Sequence, residues 1–163
     1  MNPEVMPPEV DARFTMAQPC LPWSRSATCI AIDGHGILLR GPPGSGKSDL
    51  ALRAIAQGAR LVADDRCVLT RRGDVVLASA PFSLHGLIEI RGLGIMRMDA
   101  AAEAGIALVA DMTGDVERLP ERRRCEIEGA TIPWMALNPF EASAPAKLRF
   151  ALAAALDPSR LAS

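Results

Sequence analysis

The sequence predicts an α/β domain organised around a phosphate-binding loop, and three observations lead there. First, Gly-Ile-Leu-Leu at residues 36–39 reads as a short buried strand running into Gly41-Pro42-Pro43-Gly44-Ser45-Gly46-Lys47-Ser48, which fits G-x-x-x-x-G-K-[ST]. Second, Leu50, Ala51, Ala54 and Ile55 make one apolar face of a helix immediately after it. Third, short apolar runs bounded by Gly and Asp recur along the rest of the chain, as strands do.

Taken in order, residues 1–22 carry five prolines and little periodicity, so residues 1–23 read as a flexible leader and residues 24–163 as one domain. "TCIAIDGHGILLRG" is two strands with a turn at Asp33-Gly34, the second delivering the chain to the loop. The loop helix stops at Gly58. "ARLVADD" is a strand with Asp64 and Asp65 at its end, and "RCVLTRRGDVVLA" a hairpin about Arg72-Gly73-Asp74. "GLIEIRGLGIMRM" reads as a strand broken by two glycines, and "GIALVADM" as a buried strand. The tail is helical: Ser143 is placed to cap it, Leu148, Leu152 and Leu156 repeat along one side, and Pro158 ends it.

At 163 residues and 49% hydrophobic, the chain is long and apolar enough for one real core. A net charge of -1 gives no electrostatic reason to expect nucleic acid or an anionic membrane as partner. Cys20, Cys29, Cys67 and Cys125 are scattered without zinc or disulfide spacing, and there is no signal peptide or membrane-length apolar run; the expectation is a cytoplasmic, soluble protein. His35 and His85 sit alone beside glycines and read as surface residues, and Arg122-Arg123-Arg124 reads most simply as a solvated loop, with contact to an acidic partner as the alternative.

The loop pattern has a chemical reason. Glycines let successive backbone N–H groups approach phosphate oxygens, the lysine reaches the terminal phosphates of ATP, and Ser48 is the expected Mg²⁺ ligand. Such a loop needs a strand-end carboxylate. Asp64 with Asp65 competes with the lone Asp111. The pair is preferred, because one carboxylate of two can serve metal while its neighbour takes a proton. In "LIEIR", alternation puts Glu89 and Arg91 on one face, with Ile88 and Ile90 turned to the core; spacing alone favours a plain ion pair there over metal and phosphate ligands.

Together, "GPPGSGKSDLAL", "LVADD" and "EIRGLGI" resemble the catalytic domain of the HPr kinase/phosphorylase family, from about Ser24 to the C-terminal helix. The chain is similar to the short form that lacks the amino-terminal domain. That resemblance implies a P-loop α/β fold of the phosphoenolpyruvate-carboxykinase-like type with mixed sheets, and a Mg²⁺- and ATP-dependent kinase acting on a serine of the phosphocarrier HPr. It implies that Ser48 and Glu89 hold the metal, that Asp64 accepts the serine proton, and that Asp65 supports metal or phosphate binding beside it. It also brings Arg91 and Arg118 into catalysis, and it implies a homo-oligomer of unspecified number. Three features depart from the family: Ser26 stands where a histidine is usual, "LNPFEASAP" has little similarity to the dephosphorylation segment of longer members, and the C-terminal helical extension is short. The reverse phosphorolysis is thereby left open. Two rivals stand beside this reading, a small-molecule kinase, whose arginine-rich lid has no counterpart here, and an ATP-binding regulator. No N-K-x-D motif supports a GTP switch.

Overall fold

The strand that delivers the phosphate loop lies inside a mixed sheet rather than at its edge, and that placement fixes the site. The computed structural model describes residues 15–16, 26–112 and 115–162. Strands β1 (Thr15–Met16), β2 (Ala27–Ile32) and β3 (His35–Arg40) precede helix α1 (Lys47–Ala56). Then come β4 (Arg60–Ala63), the hairpin β5 (Val68–Arg72) and β6 (Val75–Ser79), the hairpin β7 (Leu87–Ile90) and β8 (Gly94–Arg97), and β9 (Ala104–Asp111). A third hairpin, β10 (Arg123–Ile127) and β11 (Ala130–Ala136), leads to helix α2 (Ala144–Leu156).

The main sheet runs β1-β10-β11-β9-β3-β2-β4. One flank of β9 is divided: β11 pairs in parallel with Val109, Ala110 and Asp111, whereas β6 pairs antiparallel with Ala104 and Gly105. β3 runs parallel to β9, and β4 has the same sense because both β3 and β4 are antiparallel to β2. Four strands, β4, β3, β9 and β11, therefore end on one side of the sheet, the side where open α/β sheets bind ligands.

Both faces are covered, which is why β2 is buried at every position. Ile30, Ile37, Leu39, Leu108 and Ala110 pack against Leu50 and Ala54 of α1 and Leu148 and Leu152 of α2. Cys29, Leu38, Val62 and Val109 form the opposite layer with Val76 and Ala78 of β6. Each large side chain buried this way contributes about 1.5–3 kcal/mol.

The β2–β3 turn matches expectation: Asp33 and Gly34 both take positive φ, 50° and 82°, as a two-residue hairpin of the primed type requires. Other expectations change. "GLIEIRGLGIMRM" is not one interrupted strand but a closed hairpin that forms its own two-stranded sheet. Arg91 falls in its turn, so Glu89 and Arg91 do not share a strand face, and no ion pair joins them among the described residues. The arginine run is not a solvated loop: Arg123 and Arg124 belong to β10, Arg123 pairs with Glu117 at 3.1 Å and lies 5.6 Å from the Trp134 ring centroid, and Arg122 donates to the Leu161 carbonyl. Ser143 precedes α2 but its side chain caps nothing, because it already has helical φ and ψ. Leu156 is half exposed, unlike Leu148 and Leu152. Within the stretch read as leader, Thr15 and Met16 pair with Arg123 and Arg124, so these two residues do have a place in the sheet; the rest of that stretch lies outside the described residues.

Candidate active site

The loop between β3 and α1 is built for close approach. Gly46 has φ 96°, a left-handed value that favours glycine, and a Cβ there would come within 3.0 Å of Pro139. At Gly41 a Cβ would collide with the Ser45 hydroxyl. Lys47 is buried, and its Nζ donates to the carbonyls of Gly41 at 2.6 Å and Pro42 at 3.0 Å. Burial lowers its pKa, while the charges of Asp65 and Asp64 oppose that shift. The Ser45 hydroxyl is buried without a hydrogen-bond partner. An orphaned donor inside a lysine-bearing loop fits a phosphate oxygen.

Asp64 is the hub of the site. Its Oδ1 accepts from Ser48 Oγ at 2.7 Å and from Thr28 Oγ1 at 3.3 Å, and its Oδ2 accepts from the Glu89 backbone N–H at 3.2 Å. One carboxylate thus ties together α1, β2 and the β7–β8 hairpin. Asp65 stands beside it with φ 61°, a left-handed conformation that Asp tolerates better than most residues. Two hydroxyls from β2 and its approach support that turn: Thr28 Oγ1 accepts from the Asp65 N–H at 3.2 Å, and Ser26 Oγ donates to Asp65 Oδ1 at 2.9 Å. Ser26 therefore touches one carboxylate of the pair, Asp65.

Thr28 carries no motif, and sequence reasoning missed it. It is fully buried in an otherwise apolar strand, and only the pairing of β2 with β4 brings its hydroxyl to the aspartates. Asp111 ends β9 opposite Arg40, and its carbonyl accepts from Leu137 N–H at 2.9 Å. Arg118 lines a cavity of about 230 Å³ with Arg123, Trp134 and Lys147. Arg91 is exposed at the tip of the hairpin, and the Glu89 side chain is also exposed. The structure thus brings together Lys47, Ser48, Asp64, Asp65 and the Glu89 backbone, while Arg91 and Arg118 stand apart from that network.

No group of three or more His, Cys, Asp or Glu among the described residues could cage a metal. Mg²⁺ rarely needs one: it is bound by one or two carboxylates together with phosphates and water. The Ser48 hydroxyl at the end of the loop and the carboxylate of Glu89, whose backbone N–H bonds the same Asp64 that Ser48 bonds, fit that habit.

The strand, loop, helix and strand-end carboxylate define a P-loop α/β domain. The family described as HPr Serine kinase C-terminal domain matches residues 22–122, more than half of the chain, and the chain belongs to that family of kinases. It is 44% identical over 92 residues to the HPr kinase/phosphorylase of Geobacillus sp. (strain WCH70), covering 51% of this chain and 29% of that protein. With the HPr kinase/phosphorylase of Geobacillus kaustophilus it shares 40% identity over 113 residues, 63% of this chain and 36% of that protein. The chain thus spans about a third of the length of these curated relatives. Among solved structures, the Hpr(Ser) kinase/phosphatase from Coxiella burnetii superposes with a TM-score of 0.71 at 22% identity, over 83% of this chain and 97% of that one, which shows the shared fold. No helix among the described residues is long and apolar enough to cross a membrane.

Proposed function

We propose that this domain transfers the γ-phosphate of ATP to a serine hydroxyl of an HPr-type phosphocarrier protein. The observation that carries the reading is the Asp64 carboxylate, fixed between the loop hydroxyl of Ser48 and the hairpin amide of Glu89. A carboxylate offers about four lone-pair sites, of which Oδ1 has filled two and Oδ2 one. The remaining site on Oδ2 is where the substrate hydroxyl delivers its proton. As that proton moves to Asp64, the serine oxygen bonds to the γ-phosphorus, the bond to the β–γ bridging oxygen breaks, and ADP leaves.

Lys47 holds the terminal phosphates, the Ser45 hydroxyl donates to one of their oxygens, and Asp65 supports metal or phosphate binding beside Asp64. Ser48 and Glu89 would hold Mg²⁺, which when bound offsets charge on the phosphate oxygens. Arg91 and Arg118 complete the catalytic set in this reading, reaching the phosphoryl group once nucleotide and protein substrate are in place. Self-association and a cytoplasmic location belong to the same reading.

The test is to incubate the protein with labelled ATP and Mg²⁺, with either purified HPr or nucleoside monophosphates as acceptor. Label on an HPr serine supports the proposal. Label on a monophosphate makes the protein a small-molecule kinase, and ATP binding with no transfer makes it a regulator. Lys47→Ala is expected to abolish transfer while leaving the fold intact; unchanged turnover would overturn the role given to the loop. Adding inorganic phosphate to phosphorylated HPr measures the reverse reaction.

A further inference from the structure

The β7–β8 hairpin is a sheet of its own, and among the described residues each of its strands pairs only with the other. One edge of β8 therefore has no strand beside it. The bonding pattern shows which groups face outward there. Glu89 N–H donates to Asp64 Oδ2, away from β8, so Glu89 and its cross-strand partner Ile95 form a non-hydrogen-bonded pair. The Met98 N–H bond to the Gly86 carbonyl at 2.8 Å, three pairs further along the ladder, fits that alternation. The N–H and C=O of Ile95, and those of Arg97 two residues on, consequently point out of the hairpin at its free edge.

The side chains at this edge are uncovered too. All four residues of β8 are exposed, Ile95 at 74%, and Leu93 in the turn before it is 72% exposed. Ile95 shares a face with Glu89 and, by alternation, with Arg97. Arg91 in the turn and Arg97 at the strand end are exposed, and neither is in an ion pair among the described residues. The acid on that face is Glu89, whose side chain the reading above gives to Mg²⁺. The hairpin thus offers apolar contact flanked by two positive charges, one strand away from the amide that ties it to Asp64.

We propose that the free edge of β8 docks the protein substrate: an extended segment of the acceptor protein adds to it as a third strand, bonding the outward groups of Ile95 and Arg97. An apolar side chain of that segment rests on Ile95, and an acidic one meets Arg97. The proposal rests on reading the domain as a protein kinase and adds where its acceptor is held. Strand addition is a common way to hold an extended peptide, with backbone bonds supplying affinity and alternate side chains specificity. The edge is 4 residues long, about 13 Å, which suits a short segment and falls far short of the roughly 800 Å² per partner that a stable dimer buries. A second copy on this edge would also bring the arginines of two hairpins together, whereas an acidic segment matches them. An added strand lies about 10 Å from β7, so the docked segment flanks the acceptor serine, and three or four extended residues reach back to Asp64.

Hydrogen exchange and steady-state phosphoryl transfer on the full chain test this, with purified HPr as acceptor. The Ile95 and Arg97 amides should exchange as open amides in the protein alone, and HPr should slow both about 10-fold. Ile95→Pro removes an outward N–H without touching a ladder bond; it should raise the KM for HPr about 10-fold and leave the KM for ATP unchanged. Arg97→Glu keeps every backbone group and decides the matter where Ile95→Pro fails to fold. It should raise the KM for HPr by a smaller factor that shrinks at high salt. Unprotected Ile95 and Arg97 amides in the presence of HPr, or an HPr KM unmoved in the folded variants, would overturn the docking edge. So would protection that grows with protein concentration in the absence of HPr, which would give the edge to a second copy. If the wild type transfers no label to HPr, the protein-kinase reading itself fails and the docking edge goes with it; transfer with an indifferent edge sinks the docking alone.

Discussion

The tetrapeptide Leu-Val-Ala-Asp occurs twice, at residues 61–64 and 108–111, and the two copies have different fates. Each supplies a buried strand, and each strand ends on the ligand side of the sheet. β9 lies directly beside the loop strand, whereas β4 is one strand further away. Yet it is Asp64, on the farther strand, that bonds the loop hydroxyl. The difference lies in the path of the chain beyond each aspartate and in the strand alongside it. After Asp111 the chain stays in the ladder, with Met112 N–H donating to the Arg40 carbonyl. After Asp64 it turns through the left-handed Asp65, and Thr28 of β2, with Ser26 just before it, holds that turn. A strand-end carboxylate takes its role from its neighbours, not from the strand that carries it.

Neutralising each acid in turn puts that contrast at risk. Asp64→Asn should keep ATP binding, because an amide still hydrogen-bonds, but should lower phosphoryl transfer about 10²–10⁴-fold through loss of the base. Asp111→Asn should stay near wild type in the same assay. The reverse outcome would move the chemistry to β9. A smaller effect is expected at Thr28. Thr28→Val keeps the volume but leaves the Asp65 N–H without its acceptor, at a cost of about 1–3 kcal/mol in denaturant stability. The accompanying fall in kcat should be about 10-fold with the KM for ATP unchanged, and Thr28→Ser should restore it; a KM change alone would assign Thr28 to binding instead.

The phosphate loop, its strand and helix, and the carboxylate pair are legible in the sequence because glycine spacing and apolar runs are local signals. The β10–β11 hairpin is far harder to read. Its turn, Glu128-Gly129, takes positive φ at both positions and carries the usual glycine, but the arginine run conceals the inward Cys125 and Ile127. Pro133 inside β11 argues further against a strand. Thr28 gives no local signal at all, since its role depends on partners 36 and 37 residues away. Family resemblance points to the Glu89 side chain, whereas the observed bond to Asp64 uses the Glu89 backbone, a distinction that sequence does not carry.

Two further measurements probe the same carboxylate corner at smaller scale. Ser26→His places an imidazole beside Asp65 and should raise at least one of the forward and reverse rates, since a charged donor holds phosphate more strongly than a hydroxyl. Unchanged rates in Ser26→His, with Ser26→Ala also silent, would reduce Ser26 to a strand-entry residue. The least effect concerns Cys67, just beyond the aspartates. Burial, then the charges of Asp64 and Asp65, push its thiol from 9.0 up to about 12. The folded protein keeps that proton where the unfolded chain has lost it. Stability from this group is therefore intact below about pH 9 and declines as pH rises toward about 12. Cys67→Ala should make the denaturant midpoint fall less steeply across that window, and an unchanged slope would show that the thiol does not contribute.

The divided flank of β9 has a consequence for anyone who makes this domain. The matched family region ends at residue 122, but β11, which comes later, closes the half of β9 that carries Val109, Ala110 and Asp111. A fragment trimmed to the recognised region would leave that backbone as an open edge and strip Leu148 and Leu152 from the layer over β3. Such an edge is a template for pairing with other chains. The recognised region is thus shorter than the foldable one, and a soluble preparation needs the sequence through the last turn of α2.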